Sequence, residues 1–224
     1  MIQPLLFPSE TEWLAALRSA FLDAQATTLA QQQVFHVALS GGRTPAPLHR
    51  SLAREALAWE RIEWWMGDER HVPAEDPASN GRMAREAFAA AGARFRFHPW
   101  DVAFPPEEAA RRYAKRMRAR IGNPPILDLV LLGLGNDGHT ASLFPGSPAL
   151  AITEWDAAPA PGPPPHPHRL TLTYPVFDRS REVWFLVSGR EKERMIRRLL
   201  QGDDALPAAR IRGPRQKLFW RRDG

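Results

Sequence analysis

Apolar residues recur along this chain in two rhythms. Over roughly residues 9–31, Trp13, Leu17 and Phe21 fall on every fourth position, the spacing of one helix face. Ser9, with Glu12 three residues on, supplies a capping box to start that helix. After it the rhythm changes to short, mostly apolar runs: VFHVAL (34–39), RIEWWM (61–66), LDLVLLGLG (127–135) and EVWFLVSG (182–189). Two further strands are expected at RLTLT (169–173) and around QKLFW near the C-terminus. Helical patterns separate them. One opens at Pro45 with Thr44 as its cap, one runs from Ser79 to about residue 91, and others cover about 106–121 and 190–201.

A strand that is apolar on successive residues is buried on both faces, as in the middle of a parallel sheet. Alternation of such strands with helices predicts an α/β fold: a doubly wound, mostly parallel sheet with helices on both faces, three-layered and Rossmann-like. The proline-rich stretch APAPGPPPHPH (158–168) is too short to divide domains and reads as a surface loop. One domain over residues 1–224 is therefore expected.

Composition narrows the function classes. With 44% hydrophobic and 25% charged residues the chain has enough apolar material for a sizeable core. There is no cysteine, so thiol nucleophiles, disulfides and thiolate metal sites are excluded. The start lacks a basic region and a signal-length apolar core, and no run approaches ~18 apolar residues, so a cytoplasmic protein without a membrane span is expected. The net charge of +5 raises nucleic-acid binding as a question. Lysine, however, occurs only at 115, 192 and 217, and the densest basic run, RRYAKRMRAR (111–120), lies on a helical pattern. A solvated helix face accounts for it, and no nucleic-acid partner is expected. The eight tryptophans are read as packing residues.

In doubly wound sheets ligands bind beyond the carboxyl ends of the strands. The segments there read SGGRTP, GDER, GNDGHTASLFPG and SGREK. In the first, Gly41 and Gly42 let the backbone approach an anion, and Ser40 and Thr44 add hydroxyls. A tight turn would use the same residues, and no Gly-Lys-Ser/Thr follows to make a Walker loop. GLGNDG (133–138) matches the spacing of a dinucleotide fingerprint, but Pro145 and Pro148 follow too soon for the long helix that motif requires. Asp137 and His139 stand two residues apart in that loop. Histidine is the side chain whose ordinary pKa of about 6.5 lets it accept a proton at neutral pH, and a nearby carboxylate orients it. Asp68 and Arg70 offer a sugar-hydroxyl acceptor and a planar donor fork, although a surface ion-pair cluster would look the same. Arg169 and Lys192 suit a phosphate or an ordinary surface charge equally. Ser142 lacks a nucleophile elbow. His166 and His168 lack further ligands, so no metal is expected.

Together SGGRTP (40–45), GDER (67–70) with DPASN (76–80), LDLVLLGLGNDGHTASLFPG (127–146), RLTLT (169–173) and VSGREK (187–192) resemble the 6-phosphogluconolactonases, in a superfamily shared with glucosamine-6-phosphate deaminase. The long middle segment is the specific one. The resemblance implies hydrolysis of a small-molecule sugar-phosphate lactone without metal or organic cofactor, by a monomer or small homo-oligomer. It implies His139 as the base that activates water, Asp137 as its support, and Ser40, Gly41, Gly42, Thr44, Arg169 and Lys192 as receivers of the 6-phosphate. Asp68 and Arg70 would hold the ring and the reacting carbonyl. Arg43 departs from the family's usual serine. The deaminase pattern carries a glutamate five residues after its histidine, where this chain has Phe144, so an amino-sugar-phosphate isomerase or deaminase is the second reading. A non-catalytic sugar-phosphate sensor is the third.

Overall fold

In the computed structural model, which describes residues 2–222, Ser9 Oγ accepts a hydrogen bond from Glu12 N at 3.2 Å and opens the first helix. In chain order the elements are β1 (Gln3–Phe7), α1 (Glu10–Leu29), β2 (Phe35–Leu39), α2 (Ala46–Leu52), β3 (Ile62–Met66) and β4 (Asp68–Arg70). Next come α3 (Asn80–Ala87), β5 (Phe97–His98), α4 (Pro106–Ile121), β6 (Leu129–Leu132), β7 (Ala157–Pro161) and β8 (His168–Leu172). The remainder is α5 (Tyr174–Arg179), β9 (Glu182–Ser188), α6 (Glu193–Leu200) and β10 (Gln216–Arg221).

Seven strands form one sheet in the order β1-β10-β9-β6-β2-β3-β5, every pairing parallel. From β2 the chain moves outward through β3 to β5, then returns across β2 to β6 and on to β9 and β10. The order therefore reverses between β2 and β6, where an open parallel sheet has its binding crevice. Right-handed crossovers in opposite directions put helices on opposite faces. Accordingly α1 packs on α2 and α2 on α3, while α4 lies against β7 and β8. Every residue of β2, β3 and β6 is buried, which explains their mostly apolar sequences, with His36 and Glu63 as buried exceptions. Trp13, Trp59, Trp64, Trp65 and Trp184 belong to the core, as their number suggested, whereas Trp155 is exposed.

A second sheet, β4-β8-β7, is antiparallel and was not expected from the sequence. It forms because the chain leaves β3 at Gly67 and its next three residues pair with β8 rather than with the main sheet. The proline-rich stretch read as loop begins as its edge strand, with Pro161 opposite His168. Proline is tolerated there because an edge strand has one side with no hydrogen bonds to donate. Other expectations are trimmed. The apolar run 127–135 is strand only over Leu129–Leu132. The helix from Ser79 stops at Ala87 and passes into a 3-10 turn, and the one predicted from 190 begins as a 3-10 turn before α6. Thr44 does not cap α2. Pro45 occupies that position without a side-chain hydrogen bond.

Candidate active site

A cavity of about 320 Å³ opens at the reversal point between β2 and β6. Its lining includes Ser40, Gly41, Gly42 and Thr44 from the loop after β2, and Asp68 and Arg70 from β4. His139 comes from the loop after β6, Arg169 from β8, and Lys192 from the turn after β9. Nine of the ten residues expected from the sequence thus meet in one place. The tenth, Asp137, lies behind the ring of His139.

The loop after β6 is shaped to present that ring. Gly135 N donates to His139 O at 2.8 Å and Thr140 Oγ1 to Gly133 O at 2.8 Å, so the segment closes on itself instead of opening a helix. Asp137 Oδ1 lies 2.6 Å from His139 Nδ1 and also accepts from the His139 amide at 3.1 Å. Burial raises the Asp137 carboxyl, but the hydrogen bonds from the His139 amide and ring outweigh it and hold the group below the ordinary carboxylate range. An ionised Asp137 favours the proton on Nδ1, leaving Nε2 as the acceptor. Gly135 is required here. A Cβ on it would stand 2.1 Å from His139 Nδ1 and 2.7 Å from Asp137 Oδ1. The ring of Phe144 packs 4.5 Å from that of His139, centroid to centroid.

The loop after β2 offers backbone donors. Among the described residues the N–H groups of Gly41, Gly42, Arg43 and Thr44 have no protein acceptor. Gly42 adopts φ of 95°, a left-handed conformation that glycine reaches without strain. Across the cavity, Arg70 and Arg169 stand opposite each other in the β4–β8 register. Burial, then the charge of Arg70, lowers the Arg169 pKa. Arg169 Nε donates to His166 O at 2.9 Å, and Arg70 Nη1 donates to Ala78 O at 2.8 Å and Asn80 Oδ1 at 2.7 Å. Burial also lowers the Lys192 pKa, with Glu191 and Asp137 pulling the other way. Lys192 Nζ donates to Leu134 O at 2.9 Å and to the Asn136 side chain. Partly desolvated cations around free backbone donors make a site for an anion.

Asp68 is not part of a surface ion-pair cluster. It is buried, accepting from Ser142 Oγ at 2.7 Å through Oδ2 and from Asn80 Nδ2 at 3.2 Å through Oδ1. Ser142 and Asn80 also line the cavity, and the sequence did not single them out as binding residues. Ser142 drew notice only as a nucleophile. Asn80 carried one available signal, its place directly after a helix-capping serine in DPASN. Among the described residues no group of three or more His, Asp or Glu side chains is placed to hold a metal ion, and His166 and His168 belong to no such group.

Similarity to known proteins identifies the family and the fold. The family model described as glucosamine-6-phosphate isomerases/6-phosphogluconolactonase matches residues 8–220. A 6-phosphogluconolactonase of Synechocystis is 41% identical over 193 residues, 82% of this chain and 80% of that protein. One from Nostoc is 34% identical over 227 residues, 96% of this chain and 92% of its own length. The crystal structure of 6-phosphogluconolactonase from Thermotoga maritima superposes with a TM-score of 0.87 at 28% identity, covering 98% of both chains.

Proposed function

The chain belongs to the glucosamine-6-phosphate isomerase/6-phosphogluconolactonase family, and from that premise we propose how its cavity performs the lactonase reaction. The protein hydrolyses 6-phospho-D-glucono-1,5-lactone to 6-phosphogluconate in the oxidative pentose phosphate pathway. The observation that carries the residue-level reading is the His139–Asp137 pair, 2.6 Å apart, with the histidine facing a cavity rich in anion donors.

The 6-phosphate is received by the free amides of Gly41 and Gly42, the hydroxyls of Ser40 and Thr44, and the cations Arg169 and Lys192. Asp68 accepts from sugar hydroxyls, and the guanidinium of Arg70 faces the C1 carbonyl. His139 Nε2 takes a proton from water as the water oxygen bonds to C1, and Asp137 stabilises the imidazolium that forms. The carbonyl oxygen becomes an oxyanion beside Arg70. When the tetrahedral intermediate collapses, the C1–O5 bond breaks and O5 takes the proton back from His139. The new carboxylic acid then ionises to give 6-phosphogluconate.

The isomerase or deaminase reading needs a carboxylate five residues beyond the histidine to open the sugar ring. Phe144 occupies that position with its ring against His139 and has no proton to exchange. The deciding experiment offers the purified protein fresh phosphogluconolactone and, separately, glucosamine 6-phosphate. Acceleration of lactone hydrolysis over the spontaneous rate, with no ammonia from the amino sugar, is expected. Ammonia release without lactonase activity would overturn the reading.

A further inference from the structure

Asn80 is 2% exposed and sits where three walls of the cavity meet. Its Nδ2 donates to Asp68 O at 3.0 Å and Asp68 Oδ1 at 3.2 Å, while its Oδ1 accepts from Arg70 Nη1 at 2.7 Å. The amide has one sensible orientation, because the reverse would point its donors at a guanidinium and its oxygen at a carboxylate. The loop after β2 rests on the same group: a Cβ at Gly41 would lie 2.0 Å from Asn80 Oδ1.

Asn80 is itself held from below. Glu69, 3% exposed, accepts from Asn80 N at 2.6 Å, Gly81 N at 2.7 Å, Ser79 Oγ at 3.0 Å and Arg70 N at 2.7 Å. Its two oxygens clamp the start of α3 to the end of β4, at the helix end that favours negative charge. The clamp fixes the backbone from which Asn80 projects.

We propose that Asn80, set in place by Glu69, is a positioning residue that holds Arg70 and Asp68 at a fixed distance from the loop Ser40–Thr44. This rests on the lactonase reading: with the phosphate in that loop, the span to Arg70 decides where the reacting carbonyl lies. The residue works through Arg70 and need not touch the substrate.

The test is a double-mutant cycle in kcat/KM for phosphogluconolactone, using the parent, Asn80→Ala, Arg70→Ala and the double variant. Asn80→Ala should lose ~10–100-fold, the scale expected when a reacting group is displaced by a fraction of an ångström. In the Arg70→Ala background the same change should cost no more than about 3-fold, because the group it positions is gone. Asn80→Asp, similar in size but setting a carboxylate against Asp68, should lose at least as much as Asn80→Ala in kcat/KM while staying folded at the assay temperature, with a lowered melting temperature. Should Asn80→Ala fail to fold, Asn80→Asp is read in both backgrounds in its place. Losses that multiply undiminished, an Asn80→Ala protein within about two-fold of the parent, or variants that lose folding and activity together would each overturn the proposal. A parent without turnover overturns the lactonase reading, and the inference with it. Turnover by the parent with Asn80→Ala unimpaired overturns the inference alone.

Discussion

A single imidazole carries the proposed chemistry, and the residues of its own loop decide how well it works. His139→Asn keeps a similar size but has no ring nitrogen to take a proton, so kcat should fall ~10²–10⁴-fold. Binding of 6-phosphogluconate, measured by calorimetry, should stay within a few-fold, since the phosphate donors lie on other loops. A folded His139→Asn protein with near-parental kcat would remove histidine from the mechanism. Gly135→Ala tests the support rather than the base. The added methyl would lie 2.1 Å from His139 Nδ1, so the pair must shift, and a ~10²-fold loss in kcat is expected. Retained activity there would mean the loop has slack that the geometry does not suggest. His139 and Asp137 were legible in sequence because they are two residues apart on one loop. Ser142 was not, since its partner Asp68 lies 74 residues away and the bond exists only once the two sheets meet.

At the level of elements, the loops after parallel strands were easy to find and their mutual ties were not. Lys192 shows the difference. From sequence it is a phosphate cation, yet in the fold its ammonium also bonds Leu134 O and Asn136, strapping the turn after β9 to the loop that bears His139. Among the described residues the Arg169 side chain has no such strap, only a bond to His166 O beside it in the chain. The two substitutions should therefore differ. Arg169→Ala should lose ~1.5–3 kcal/mol in kcat/KM on the phosphorylated lactone and little on unphosphorylated gluconolactone. Lys192→Ala should lose on both. Equal behaviour of the pair on the unphosphorylated substrate would show that the strap does not matter. The elements hidden from sequence reading share a cause. The main-sheet strands β2, β3 and β6 announce themselves by being buried on both faces, whereas β1 is largely exposed, β5 has two residues and β7 alternates alanine with proline. Each is a strand by virtue of its partner more than of its own residues.

For the whole molecule, acid exposes a weakness at His49. It is 0% exposed, stacked 5.6 Å from Phe88, with neither ring nitrogen hydrogen-bonded among the described residues. Burial, aided by Arg50, lowers its pKa to about 3. The unfolded chain takes up a proton on this ring near the ordinary value of about 6.5, whereas the folded chain resists until about 3. Unfolding therefore binds a proton between those limits. The stability this group contributes is complete above about pH 6.5 and is lost on acidification, at ~1.4 kcal/mol per pH unit. Urea titrations at pH 6.5 and 5.5 should show His49→Leu losing about 1 kcal/mol less than the parent, because at pH 6.5 the unfolded ring is already half protonated. Identical slopes would mean that another group governs the acid limb. A different vulnerability follows from the place of β10, the final strand of the large sheet in sequence but an interior one in space, between β1 and β9. On the ribosome both neighbours are made before it, and among the described residues β1 pairs with no other strand. Until Gln216–Arg221 emerges, the whole flank of β9 from Val183 to Ser188 is an open parallel edge, the kind of surface on which nascent chains stick to one another. Joining Gln3 to Lys217 is also about as non-local as a contact can be, which slows closure. Translation that halts before Gln216 would release a chain with its cavity loops already made and its sheet still unsealed.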